Sequence, residues 1–186
     1  MAFIHHPIGY GALAKVVHWG TACLVVSMFA LAWTFVRMDE GAGKAVLVTV
    51  HESIGIIILL IALGRILGRW ITPFPAFSST VTPLERYLAR TVQLSLYAAL
   101  LLVPLSGWVF ANAFGDAVSF FGMFMVPQLA EKDIPLRNLA WMVHQNGGYV
   151  ILGLVALHVA GALRHHFLKR DDVLRQMLPS RAGPSL

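Results

Sequence analysis

Cysteine is almost absent from this chain: Cys23 is the only one in 186 residues. One thiol forms no internal disulfide and cannot by itself hold zinc or an iron–sulfur cluster, and no C-x-x-C-H run is present for covalent haem attachment. Charge is scarce as well. Only 12% of the residues are Asp, Glu, Lys or Arg, against about 25% in soluble domains. Hydrophobic residues make up 58% and the mean hydropathy is +0.72, so a soluble globular protein is not expected. The pI near 9.8 would suit nucleic acid only if a soluble face carried a basic patch. The 14 Lys and Arg residues instead punctuate apolar runs, and no nucleic-acid partner is expected. Internal repeats and low-complexity segments are also lacking.

Long apolar runs are what the chain has in abundance. Four of them lie at about 16–36, 45–66, 91–114 and 140–164. Each meets or approaches the ~20 residues needed to cross ~30 Å of hydrocarbon as a helix. Lipid offers no partner to backbone N–H and C=O groups, so helices are expected throughout. Pro104 would kink the third run, which neighbouring helices in a bundle tolerate. The first run is too long for a signal-peptide core and no small-residue cleavage site follows it before Arg37, so it is expected to stay as a span. The expected fold is all-α, an integral-membrane four-helix bundle built as one domain from residues 1–186.

The bias of Lys and Arg orients the spans. Lys15, Arg65, Arg69, Arg86, Arg90, Arg164, Lys169, Arg170, Arg175 and Arg181 fall on one side, ten in all, against four on the other, Arg37, Lys44, Lys132 and Arg137. Both termini are therefore expected in the cytoplasm. Between the third and fourth spans, Val118 to Pro127 is too short to cross and too apolar for free solution. A helix or re-entrant segment along the interface is expected there.

Four of the eight histidines lie inside the runs, His18, His51, His144 and His158. An ionisable side chain at such depth is a functional candidate by default. Any one of them has a bland reading as a polar contact between helices, but four at matched depths do not. His51 is seven residues past Lys44 and His144 seven past Arg137, which puts both ~10 Å below the outer boundary at 1.5 Å per residue. His18 and His158 lie toward the inner boundary, near Lys15 and Arg164. His144 and His158 are fourteen residues apart, close to four full turns, so they share a helix face ~21 Å apart. The expected pairs are His51 with His144 and His18 with His158.

Two imidazoles from facing helices suit a b-type haem, whereas zinc asks for three or four protein ligands. Gly20, Gly55, Gly147, Gly148, Gly153 and Gly161 would let a flat macrocycle approach the backbone, although small residues are equally common where membrane helices pack. Arg65, Arg69, Arg86 and Arg164 inside, and Lys44 and Arg137 outside, are available to haem propionates or serve as boundary anchors.

These residues together resemble the bacterial cytochrome b561 family, four-helix membrane cytochromes with two haems b. The resemblance covers nearly the whole chain. It runs through Val17-His18-Trp19, Val50-His51-Glu52-Ser53-Ile54-Gly55, Gly64-Arg65-Ile66-Leu67-Gly68-Arg69, and Phe121-Gly122 with Pro127. It is strongest at Leu157-His158 and Ala162-Leu163-Arg164-His165-His166-Phe167, followed by Asp172-Val173-Leu174 and Met177-Leu178-Pro179. It implies that His18 and His158 ligate one haem iron and His51 and His144 the other, stacked in the bundle core. Many relatives carry a histidine four residues before a tyrosine early in span three; here Gln93 precedes Tyr97.

Bis-histidine haem leaves iron no open position for oxygen chemistry, so one-electron transfer is the expected role. The resemblance implies exchange of electrons with the quinone pool of the bacterial inner membrane. In some members it implies oxidation of superoxide with reduction of ubiquinone. An alternative is a membrane-anchor subunit passing electrons between quinone and a dehydrogenase, hydrogenase or soluble cytochrome. A cofactor-free scaffold would leave the buried histidines unexplained. His165 and His166 are candidates for a quinone or proton role, or else a cationic pair suited to a helix C-terminus. If superoxide is oxidised, the inner side's excess of cations puts its entry there ahead of the outer side, where pockets around Lys44 or Arg137 would have to attract the anion.

Overall fold

A computed structural model describes residues 11–71 and 81–178. Pro179 and Arg181, used above, lie outside the described residues. Four long helices dominate: α1 (Ala12–Phe35), α2 (Ala42–Ile71), α3 (Pro83–Phe114) and α4 (Ile134–Arg164). Each is long and apolar enough to cross a membrane. Large apolar side chains such as Val26, Trp33, Leu60, Leu102 and Leu157 are exposed along them. Apolar surface on that scale is not left to water, and lipid covers it.

The helices outrun the charge-free windows at several ends. α3 begins at Pro83 because Thr82 caps it: Thr82 Oγ1 accepts from the Glu85 amide and Glu85 Oε2 accepts from the Thr82 amide at 2.9 Å, a capping box. α4 begins at Ile134, where Asp133 Oδ1 accepts from the Leu136 amide at 2.7 Å. Helical hydrogen bonding continues past the hydrocarbon wherever a cap satisfies the first amides, so charge marks the membrane boundary and not the helix end.

The α3–α4 connection is neither a helix nor a re-entrant segment. It forms a hairpin of β1 (Ser119–Phe120) and β2 (Phe124–Met125), paired antiparallel with Phe120 opposite Phe124. Phe121 and Gly122 turn the chain at φ 50° and 73°, the left-handed region that glycine favours. Ser53 of α2, fully buried, accepts the Phe121 amide at 2.8 Å and contacts the Ser119 carbonyl at 3.2 Å. Buried Asn112 of α3 accepts the Leu129 amide at 2.8 Å and donates to the Asp116 carbonyl at 3.0 Å. The loop's polar backbone is thus satisfied by the bundle itself, which lets an apolar segment fold back over the helix ends.

At the opposite end α4 widens into a π-helical turn, His165–Lys169, closed by Arg170 in the left-handed region at φ 55°. The chain then folds under the bundle, where Trp19 Nε1 of α1 donates to the Met177 carbonyl at 2.9 Å. These two ends are called the hairpin end and the tail end below. The close backbone packing is α3 on α4, α2 on α3 and α1 on α2. α4 stands off from α1 and α2, and histidine rings reach across.

Candidate cofactor site

α4 presents His144 and His158 on one face, and each meets a partner ring. The His51 and His144 centroids are 6.1 Å apart at the hairpin end, and those of His18 and His158 are 6.0 Å apart at the tail end. The pairing expected from depth is the pairing present. A metal bound between two opposed imidazoles has metal–nitrogen bonds of ~2.0 Å, which spaces the ring centroids about 6 Å apart. Both pairs match that spacing. Among the described residues no three His, Cys, Asp or Glu side chains converge. Two protein ligands suit an iron whose remaining positions a porphyrin fills, and the stand-off of α4 is where a flat macrocycle would lie.

The two rings on α4 are positioned differently. His144 Nδ1 lies 2.9 Å from the Val103 carbonyl of α3. A carbonyl only accepts, so Nδ1 carries the proton and Nε2 keeps its lone pair, the arrangement of a ligating histidine. Gly107 makes this contact fit: a Cβ there would sit 2.8 Å from the His144 ring. One turn away on α4, a Cβ at Gly147 would collide with Val103. Gly147 therefore serves helix packing and not macrocycle approach, whereas Gly20, Gly153 and Gly161 have open space beside them. Gly107 escaped the sequence reading because it lies on the span that carries no histidine. Its signal was a small residue in an apolar helix.

His51 is flanked by Phe35, edge-on at 5.3 Å. Its buried Nδ1 has no hydrogen-bond partner among the described residues. Trp141 stacks on His144 at 6.4 Å and meets Phe110 at a tilt at 5.1 Å. At the tail end His18 meets Trp19 edge-on at 5.4 Å, so the residue that fastens the tail also packs on a candidate ligand.

A family model described as prokaryotic cytochrome b561 matches residues 9–180. The chain belongs to the prokaryotic cytochrome b561 family. It is 33% identical over 181 residues to cytochrome b561 homolog 2 of Escherichia coli (strain K12), covering 96% of this chain and 95% of the relative. It is 26% identical over 180 residues to the probable superoxide oxidase CybB of Yersinia pestis, covering 94% and 98%. Cytochrome b561 homolog 1 of Escherichia coli (strain K12) is 24% identical over 166 residues, covering 89% and 94%. This cytochrome b561 is accordingly a multi-pass electron-transfer protein of the bacterial inner membrane, and its family implies haem b.

The remaining candidates separate by partner. His165 is buried, with Nδ1 2.6 Å from Asp171 Oδ2, and this link ties the π-helical turn to the tail. His166 is half-buried and meets Phe167 edge-on at 4.8 Å. Arg164 and Lys169 both bind Glu85, at 2.5 Å each. Lys44 pairs with Glu40 at 2.5 Å, and Arg137 donates to Asn138 at 3.0 Å. Arg65 and Arg69 turn instead toward Tyr97.

Proposed function

We propose that this cytochrome b561 carries two haems b, one held by His18 and His158 and the other by His51 and His144, and exchanges electrons with the quinone pool. The observation that carries the reading is the pair of opposed imidazoles repeated twice along one face of α4. Haem b held by these histidines would supply reversible one-electron oxidation and reduction. The chain's own residues do the rest. The Val103 carbonyl fixes the proton and orientation of His144, and Trp141 and Phe35 shield the hairpin-end rings. The excess of cations orients the tail end, with both termini, toward the cytoplasm. Residues 1–186 then form a single domain.

The likeness to a probable superoxide oxidase supports a more specific activity. Two superoxide ions each give up one electron and leave as O2, and one ubiquinone takes up the two electrons and two protons to become ubiquinol. His165 Nδ1 is committed to Asp171, so His165 Nε2 and the His166 ring are the groups available to bind the quinone and pass it a proton. Superoxide arrives at the cationic tail end. The test is rapid mixing of purified protein with superoxide. Haem reduction is expected at a rate that falls steeply with ionic strength, since screening weakens the attraction of an anion to positive charge. Colourless protein overturns the electron-carrier reading. Coloured protein inert to superoxide but reduced by ubiquinol restricts it to a quinone-linked carrier.

A further inference from the structure

Near the hairpin end a cavity of about 210 Å³ lies between α3 and α4, lined by Phe110 and Phe114 of α3 and by Arg137, Asn138 and Trp141 of α4. Phe110 and Phe114 are one helical turn apart, as are Arg137 and Trp141, so each helix turns one face to the cavity. The rings supply its walls: the Phe110 centroid is 6.2 Å from that of Phe114 and 5.1 Å from that of Trp141. Phe114 and Trp141 stay exposed, so the cavity opens on the surface that lipid covers.

Its polar edge is made of donors. Arg137 Nε and Nη2 lie 3.2 and 3.0 Å from Asn138 Oδ1, and the guanidinium carbon is 5.7 Å from the Phe114 centroid. Both contacts fall on the amide oxygen of Asn138, which leaves its Nδ2 as a donor. Arg137 Nη1 and Asn138 Nδ2 have no acceptor among the described residues. Asp133, one turn earlier on the chain, accepts the Leu136 amide.

Aromatic walls and a donor edge together restrict the guest. A hydrocarbon chain would leave the donors unmatched, a phosphate would leave the rings uncovered, and a diatomic anion would fill little of the space. A cavity of about 150 Å³ takes benzene, and drug-sized ligands need about 300 Å³ or more, so the fit is one substituted six-membered ring. Carbonyl oxygens in the plane of that ring would accept from Arg137 and Asn138 while its faces lie against aromatic side chains. Entry from lipid adds an apolar tail that stays in the bilayer. These are the marks of a membrane quinone. Trp141 stacks on His144 at an interplanar angle of 26°, so a ring in the cavity is separated from a candidate haem ligand by one indole.

We propose that Phe110, Phe114, Arg137, Asn138 and Trp141 form a second quinone-ring site, at the opposite end of the bundle from His165 and His166. The inference rests on the quinone-exchange reading above. Arg137 and Asn138 hold one ring carbonyl, the aromatic side chains cover the ring, and Trp141 links it to His144. Quinone then meets the chain of haems at both ends.

The test uses quinone-stripped holoprotein carrying His165→Ala and His166→Ala, which removes the tail-end candidate. Calorimetry should still find one short-chain ubiquinone bound per chain. In that background Arg137→Gln should weaken binding about tenfold, and Asn138→Asp and Phe110→Leu about threefold each, with both haem bands intact. A photoreactive azido-ubiquinone should label peptides covering 110–114 and 137–141, to the same extent in phosphatidylcholine and phosphatidylglycerol nanodiscs. Binding unaltered by the three variants, binding that the two histidine substitutions abolish, or label confined to tail-end peptides overturns the site. Label displaced by phosphatidylglycerol assigns the cavity to an anionic lipid headgroup and overturns it as well. Wild-type holoprotein that neither binds ubiquinone nor is reduced by ubiquinol overturns the quinone-exchange reading instead.

Discussion

The two ends of the bundle hold similar ring pairs by different means. At the hairpin end the groups that touch the His51 and His144 rings and fasten the loop are neutral: a backbone carbonyl, a glycine that admits a ring, aromatic faces, and Ser53 and Asn112. At the tail end the contacts beyond the ring pair are charged or linked to charge: Arg65 and Arg69 on Tyr97, Glu85 between Arg164 and Lys169, and Asp171 on His165. Close packing fixes geometry and is insensitive to salt. Charge tunes potential and attracts anions, and is weakened by salt wherever water reaches it. The two ends thereby differ in what fixes them, neutral packing at one and ion pairs at the other.

The largest test removes one ring at a time. His144→Ala should abolish haem binding at the hairpin end and leave the tail-end haem, and His158→Ala should do the reverse, read as pyridine haemochrome content per chain. If either variant keeps two haems with unchanged spectra, the pairing is wrong. A sharper break targets packing alone. Gly107→Ala puts a methyl against the His144 ring, an overpacking strain of about 1–3 kcal/mol. It should lower hairpin-end haem occupancy while the tail-end band stays intact, and equal loss of both bands would mean general misfolding.

His165→Ala with His166→Ala should slow quinone turnover several-fold with haem content preserved. Unaltered turnover in the fully loaded double variant would leave the pair a purely structural latch to the tail. The smallest effect is expected from Ser53→Ala. It strips the Phe121 amide of its partner at a cost of about 1–3 kcal/mol and should speed hydrogen exchange in the hairpin without changing either haem. A change confined to the tail end would contradict the separation of the two ends.

The spans and the histidine pairs could be read from the chain because they rest on one-dimensional quantities. Run length against membrane thickness, 3.6-residue periodicity and distance from boundary charges placed His144 and His158 on one face and matched them in depth with His51 and His18. Those arguments used only the regular rise of a helix that lipid enforces. Other features depend on groups far apart in sequence. Ser53 binds Phe121 across 68 positions, His144 reaches Val103 across 41, and Arg65 reaches Tyr97 across 32. No local pattern announces a carbonyl as the partner of a histidine, or a glycine as the space its ring needs. The hairpin was equally hidden, since its apolar residues fit an interfacial helix until Ser53 and Asn112 supplied the loop's hydrogen bonds. The sequence by itself determined which side chains lie at which depth, because helix rise and hydrocarbon thickness are constants. Only the tertiary structure decided how each ring is held and which charged groups pair, because close packing and ion pairing depend on which helices become neighbours.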